Sequence, residues 1–267
     1  MNILVCAKQV PDTTEIKIDP VTNTLIRDGV PAILNPYDGY ALEAAARLKD
    51  KDPEVKIVVV TMGPEAAKAV SKECLAIAAD KAYLVSGRSF AGSDTLATSY
   101  ILYNAVKEIE KVEGKFDFIF CGKQAIDGDT AQVGPEMAEW LGYGQITNGL
   151  ECEMNGDKLE VLKEGADGNL VLSIKAPAVV TFTKPSFDPR FPTIKRKMAA
   201  NKAVIEVLGD GFNPDMDDAK IGLKGSPTFV RKSFTPPVAA GGEILKAETP
   251  EDVVKLLVGK LTESHVI

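Results

Sequence analysis

In Ile119-Phe120-Cys121-Gly122-Lys123-Gln124-Ala125-Ile126-Asp127-Gly128-Asp129-Thr130-Ala131-Gln132-Val133-Gly134, an apolar strand runs into a polar loop rich in glycine and aspartate. The strand is expected over Phe116 to Cys121, and a helix from near Thr130 through Trp140. A strand, loop and helix in this order turn main-chain N–H groups and the positive end of a helix toward an anion, which suits a nucleotide pyrophosphate. Gly122, Gly128 and Gly134 would let the backbone approach a phosphate closely. Thr130 can cap the helix or donate its hydroxyl, and Gln132 carries amide donors and an acceptor. Asp127 and Asp129 repel phosphate, so they are expected to face backbone N–H groups, ribose hydroxyls or a cation. Lys123 could offset their charge or face solvent. Read alone, the loop leaves a nucleotide site and an ordinary strand–turn–helix connection both open.

Outward from this loop, the preceding chain alternates strand and helix. Ile3–Ala7, Val55–Thr61 and Ala82–Val85 are nearly continuous apolar runs rich in branched residues, as in a parallel sheet buried on both faces. Helical spacing falls over Tyr37–Lys49, Pro64–Ala78 and Asp94–Glu110. Asn35-Pro36 reads as a turn before the first helix, with Asp38 as a possible cap. Pro64 suits a first helical turn, and Asp94 suits a cap better than a catalytic acid. Lys17-Ile18-Asp19 and Val21-Thr22-Asn23-Thr24 read as a small hairpin on the rim of the sheet.

Beyond Trp140 the pattern changes. Gln145–Met154, Leu159–Glu164 and Leu170–Ile174 read as antiparallel strands with turns at Asn155-Gly156 and Asp167-Gly168. Ala178–Thr183 reads as a further core strand. Prolines 185, 189 and 192 stiffen the chain around Phe187 and Arg190, ahead of a short basic helix over Thr193–Asn201. Lys195-Arg196-Lys197 on it reads as a solvated face. Residues 208–243 lack periodicity and read either as disordered or as an arm laid on another polypeptide, and Ile221, Leu223, Phe229, Val230 and Phe234 favour the arm. A final helix over Pro250–Leu261 lines up Val253, Val254, Leu257 and Leu261. The fold class expected is α/β, a Rossmann-like parallel-sheet nucleotide-binding core with a small antiparallel excursion and an extended C-terminal arm. The core covers 1–185, including the excursion at 145–174, and 186–267 forms a partner-binding loop, arm and terminal helix.

Composition narrows the function. With 31 basic against 38 acidic residues, the formal charge of −7 argues against nucleic acid as a partner. The longest apolar runs are strand-sized, so no membrane insertion is expected. A strand at the very N-terminus, without a signal-peptide pattern, points to a cytoplasmic location. Four scattered cysteines with no CxxC pair give no support to an iron–sulfur or zinc site. A single histidine, His265, leaves no histidine-based triad or metal site. The loop is not a Walker A sequence, no GxGxxG follows the first strand, and Ser89 and Ser93 lack a histidine partner. The first strand leads instead through Ala7-Lys8-Gln9-Val10-Pro11, whose backbone could border an adenine ring, and Met62-Gly63 follows another strand.

Asn35-Pro36-Tyr37-Asp38, Val59-Val60-Thr61-Met62-Gly63-Pro64, the run Gly122–Gly134, Ala176-Pro177-Ala178-Val179-Val180-Thr181 and Phe187-Asp188-Pro189-Arg190-Phe191-Pro192 occur in this order. Together they resemble the electron-transfer flavoprotein beta subunit, over nearly the whole chain. The resemblance implies a heterodimer with an alpha subunit that carries a redox-active FAD. It implies structural AMP in the beta subunit of ordinary members, and a second FAD that receives hydride from NADH in electron-bifurcating relatives. The cofactor-binding residues it implies are Ala7, Asn35, Pro36, Tyr37, Asp38, Met62 and the run Gly122 through Val133, with Gly128 to Gln132 as the pyrophosphate cradle. Many AMP-binding members carry a third acidic residue and then Asn-Gln where this chain has Gly128 and Thr130-Ala131-Gln132. That departure resembles bifurcating and nitrogen-fixation-linked members, so FAD is preferred to AMP in the beta site. The implied partners are the alpha subunit, an acyl-CoA dehydrogenase-type protein, and ferredoxin or flavodoxin as low-potential acceptor. No side chain is expected as general acid, base or nucleophile, since the redox chemistry belongs to the cofactors. A nucleotide-sensing α/β module and a purely structural subunit are the alternatives.

Overall fold

The computed structural model describes residues 1–12, 31–231 and 241–267. The rim hairpin expected around Lys17–Thr24 lies outside the described residues. The chain divides into two compact units, one containing 1–12 and 31–231 and the other containing 241–267. In chain order the strands are β1 (Asn2–Ala7), β2 (Gln9–Pro11), β3 (Ala32–Leu34), β4 (Lys56–Met62), β5 (Lys81–Val85) and β6 (Phe118–Gly122). They continue with β7 (Gly144–Asn155), β8 (Lys158–Lys163), β9 (Leu170–Lys175), β10 (Ala178–Phe182) and β11 (Glu206–Leu208). The helices are α1 (Pro36–Lys51), α2 (Lys68–Ile77), α3 (Thr95–Glu113), α4 (Val133–Leu141), α5 (Ile194–Lys202) and α6 (Pro250–Glu263).

Among the described residues one nine-stranded sheet runs β11-β5-β4-β1-β6-β10-β7-β8-β9, and β2 pairs with β3 in a separate antiparallel ribbon. The pairs from β11 through β7 are parallel, while β7–β8 and β8–β9 are antiparallel. The α/β class expected from the strand–helix alternation is therefore present, and the antiparallel strands extend the main sheet. Successive residues of a strand face opposite sides, so a strand covered on both faces must be apolar throughout. In β1, Ile3, Val5 and Ala7 pack toward α1 and α2, whereas Leu4 and Cys6 pack toward α3 and α4. This double covering explains the unbroken apolar runs.

Local chemistry shifts several expected boundaries. The helix expected from Pro64 begins as a 3-10 turn at Glu65–Ala67 before α2 takes over. Asp94 caps α3, its carboxylate accepting from the Ala97 N–H at 3.0 Å. Thr193 caps α5, accepting from the Arg196 N–H at 3.2 Å. On α5 the guanidinium of Arg196 is not a solvated charge: its Nη2 donates to the carbonyls of Leu75 and Ala79, at 3.0 and 2.8 Å. These carbonyls lie at the C-terminal end of α2, where a helix favours a cation. Strand β11 was not expected, and it carries the chain after α5 back to the sheet edge at β5. Beyond it, Asn213 donates to Asn104 of α3 at 2.9 Å, and Ile221 is buried in the α3-side core.

The segment between β10 and α5 is fastened to α1. Arg190 donates from Nε to Glu43 at 2.8 Å and from Nη2 to Asp50 at 2.6 Å, while Arg47 lies 3.6 Å from the centre of the Phe187 ring. The Arg190 hydrogen bond also holds the Asp50 carboxyl below its ordinary range. Fastened this way, the segment leaves Phe191 92% exposed. In the second unit, Thr249 caps α6, accepting from the Asp252 N–H at 3.3 Å. No helix among the described residues is long and apolar enough to cross a membrane.

Candidate functional site

Strands β1 and β6 are neighbours, yet the chain continues from β1 toward β4 and β5 on one side and from β6 toward β10 and β7 on the other. Such a reversal leaves a crevice at the carboxyl ends of the two strands. Two side chains before and within the first turn of α1 tie its sides together. The Asp38 carboxylate accepts the N–H of Lys8 at 2.7 Å and that of Gly122 at 3.1 Å, joining the ends of β1 and β6. Asn35 accepts the Ile126 N–H at 3.2 Å and donates to the Gln124 carbonyl at 2.8 Å, while its own N–H donates to Lys8. Asp38 is therefore a tie between strands and does not cap α1, whose start is set by Pro36. Both residues are buried, and for Asp38 loss of water outweighs the two N–H groups and raises its pKa to about 7.

The aspartates of the loop are engaged locally, Asp127 by a cation and Asp129 by an amide. Lys8 Nζ lies 2.7 and 3.0 Å from the two Asp127 carboxylate oxygens, and Gln124 Nε2 donates to Asp129 at 2.7 Å. The offsetting cation is thus Lys8, a residue whose side chain the sequence did not single out. Its signal was a lysine directly after a buried strand. The N–H of Lys123 instead extends the ladder to the Phe182 carbonyl, at 2.7 Å. Gly128 and Asp129 close a turn, both donating to the Ala125 carbonyl.

Beyond that turn the backbone is left open to a ligand. Asp129 and Ala131 have φ of 51° and 54°, the left-handed region, while Gln132 is right-handed with φ −102° and ψ −37°. Left-handed Ala131 followed by right-handed Gln132 curls the chain so that successive N–H groups converge, a concavity that binds anions. Helix α4 begins at Val133 with Gln132 at its N-cap and no side-chain cap, so the capping role expected of Thr130 is not present. The N–H groups of Thr130, Ala131, Gln132, Val133 and Gly134 find no acceptor among the described residues. Pro135 has no N–H to offer. Non-glycine residues in the left-handed region cost on the order of 1 kcal/mol each, and such strain concentrates at binding sites.

The glycines divide by role. A Cβ on Gly122 would sit 2.3 Å from Asp38 Oδ1, and one on Gly134 would sit 2.5 Å from Thr181 Cγ2, so both serve packing of the scaffold. Of the three loop glycines only Gly128 faces open space, with nothing within 4 Å. Asn35, Asp38, Lys8 and the run from Gly122 share one bonded network; Ala7 ends β1 opposite Thr61, one residue before Lys8, and Pro36 and Tyr37 begin α1. Met62 ends β4, one residue past the Thr61–Ala7 pairing, and packs against the α3-side core without a hydrogen bond into the network. Beneath the loop, contact with the Cys6 thiol and burial push the Cys121 thiol well above its ordinary range, which makes it an inert packing group. The uncommitted N–H groups, the helix end and the Lys8-paired Asp127 are together chemistry suited to an anion.

The model of the electron transfer flavoprotein domain matches residues 22–210. The electron transfer flavoprotein subunit beta of Megasphaera elsdenii is 51% identical over 271 aligned positions, covering the whole of both chains. Subunit CarD of the caffeyl-CoA reductase-Etf complex of Acetobacterium woodii is 44% identical, again over the whole of both. Protein FixA of Azotobacter vinelandii is 41% identical over 99% of this chain and 96% of its own. With likeness of that extent, the chain belongs to the electron transfer flavoprotein beta-subunit family, which includes FixA.

Proposed function

We propose that this chain is the nucleotide-holding subunit of a heterodimeric electron transfer flavoprotein, with FAD on the loop after β6 and NADH as electron donor in a bifurcating complex. The reading is carried by the five uncommitted N–H groups of Thr130 to Gly134, set at the start of α4 and beside aspartates that are already paired. These N–H groups hold the linked phosphates, and the exposed Thr130 hydroxyl and Gln132 amide flank them. Lys8 offsets the charge of Asp127, and the Gln124 amide holds the Asp129 carboxylate in place by a hydrogen bond. Asn35 and Asp38 fix the loop against β1, and Tyr37 and Met62 border the crevice. When bound, the flavin supplies hydride acceptance and the passage of single electrons; this chain supplies position and electrostatics.

The choice of FAD over AMP is supported by Gly128 and by Thr130-Ala131-Gln132, which replace the acidic residue and Asn-Gln of AMP-binding members. It is also supported by the likeness to a subunit named for a reductase-Etf complex. The partners proposed are an alpha subunit with its own FAD, an acyl-CoA dehydrogenase-type protein, and ferredoxin or flavodoxin. Phe191, Ile194 and Met198 are exposed beside the Arg190 clamp and give such partners an apolar contact. The test is to purify the heterodimer, release its cofactors and quantify them. Two FAD per heterodimer and bleaching of flavin absorbance by NADH are expected. One FAD, one AMP and no response to NADH would establish the AMP-binding alternative instead.

A further inference from the structure

Among the described residues, Gln132 is the one cradle residue whose side chain is held from outside the loop. Thr95, the first residue of α3, places its hydroxyl 3.0 Å from Gln132 Oε1 and 3.3 Å from Glu136 Oε1. That hydroxyl has a single hydrogen facing two oxygens, so it can donate to only one of them. Glu136 sits on α4 with its second carboxyl oxygen buried and without a partner among the described residues. Burial raises its pKa, the hydroxyls of Ser99 and Thr95 oppose the rise, and the nearby charge of Asp94 adds to it. The shorter contact is the one to Gln132 Oε1, and burial of the unpartnered Glu136 Oε2 favours the protonated carboxyl, the form that can donate to Thr95 and leave the Thr95 hydrogen to Gln132. With its oxygen engaged there, the Gln132 amide turns Nε2 away, and Nε2 finds no acceptor among the described residues.

We infer that Glu136 and Thr95 form a directed hydrogen-bond chain that orients the Gln132 amide, presenting its N–H groups to a phosphate held on residues 130–134. The inference rests on the phosphate-binding reading proposed above. Neither Thr95 nor Glu136 touches the phosphate; both are positioning residues that act through Gln132. An unfixed amide would present its oxygen to phosphate half of the time and repel it.

The test uses the purified heterodimer stripped of nucleotide, with AMP as the probe and calorimetry as the readout. Thr95→Val should weaken AMP binding by about tenfold, the loss of one oriented charge-assisted hydrogen bond. Thr95→Ser should restore affinity to within about twofold. Glu136→Gln, whose amide still donates to Thr95, should also stay near wild type, whereas Glu136→Leu should weaken binding as Thr95→Val does. In a Gln132→Ala background, Thr95→Val should have almost no further effect, since the residue it serves is gone. Additive losses in that double variant, or a serine variant as weak as the valine one, would overturn the chain. So would wild-type affinity in Thr95→Val and Glu136→Leu alike. A wild-type heterodimer that takes up neither AMP nor FAD on this subunit would instead overturn the phosphate reading, and the chain with it.

Discussion

The two ends of the same parallel sheet treat a buried carboxylate in opposite ways. At the carboxyl end, Asp38 is held by two main-chain N–H groups with no cation in hydrogen-bond contact, and its pKa is raised to about 7. At the amino end, Glu113 closes α3 and meets Lys56 at 2.6 Å, Lys81 at 2.7 Å and the Tyr83 hydroxyl. There the pKa falls to about 2, because three donors together outweigh desolvation. One end is fully paired and tied shut. The other keeps uncommitted N–H groups and an expensive carboxylate, the pattern of a site arranged for a ligand.

Breaking the Asp38 tie should have the largest effect. Asp38→Ala leaves the N–H groups of Lys8 and Gly122 without acceptors, at a cost on the order of 3 kcal/mol in urea unfolding. It should also abolish nucleotide retention, since the chain just past β1 and the end of β6 lose the carboxylate that fixes them at the loop. A variant with wild-type stability and cofactor content would remove the contrast between the two ends.

The pH dependence sharpens the same comparison. Asp38 has a raised pKa, so the stability it contributes is complete below the unfolded value near 4 and is lost as pH rises toward about 7. Glu113 has a lowered pKa, so its contribution is present above about 4.5 and is lost as pH falls toward about 2. Glu113→Gln should cost roughly 1–2 kcal/mol at neutral pH, discounted because both lysines are more than a third exposed. Its melting temperature should fall less steeply below pH 4.5 than that of wild type, with nucleotide content unchanged. Asp38→Asn should flatten the profile only between pH 4 and 7. Identical profiles for the two variants would contradict the opposed shifts.

The smallest effect is expected at Lys8. Lys8→Met leaves Asp127 unpaired beside the cradle and should weaken AMP binding about threefold to tenfold at low salt, with stability within about 0.5 kcal/mol. Adding Asp127→Asn should recover most of that affinity. Failure of the second change to recover binding would mean that Lys8 acts on the phosphates directly.

Much of this architecture was legible before any coordinates. Ile3–Ala7, Val55–Thr61 and Phe116–Cys121 announced buried parallel strands because branched apolar residues on both faces of a strand have few other uses. The strand–loop–helix order after Cys121 was legible because an apolar run, a glycine- and aspartate-rich stretch and a helical pattern follow one another there. Less legible were the features made by residues far apart in sequence. Lys8 reaches Asp127, Asp38 reaches Gly122, and Thr95 reaches Gln132 only after β1, β6 and α3 are assembled. Arg196 looked like solvated charge until α2 supplied carbonyls for it. Strand β11 was missed because three residues with an exposed face carry almost no periodic signal.

By itself, the amino-acid sequence determined most of the strands and helices, the glycine- and aspartate-rich loop between β6 and α4 and the family, since each depends on contiguous residues whose spacing and type suffice. Only the tertiary structure decided which carboxylates are neutralised, which glycines serve packing and which N–H groups remain available. Those outcomes depend on burial and on partners across the sheet, and desolvation and hydrogen bonding act through space rather than along the chain.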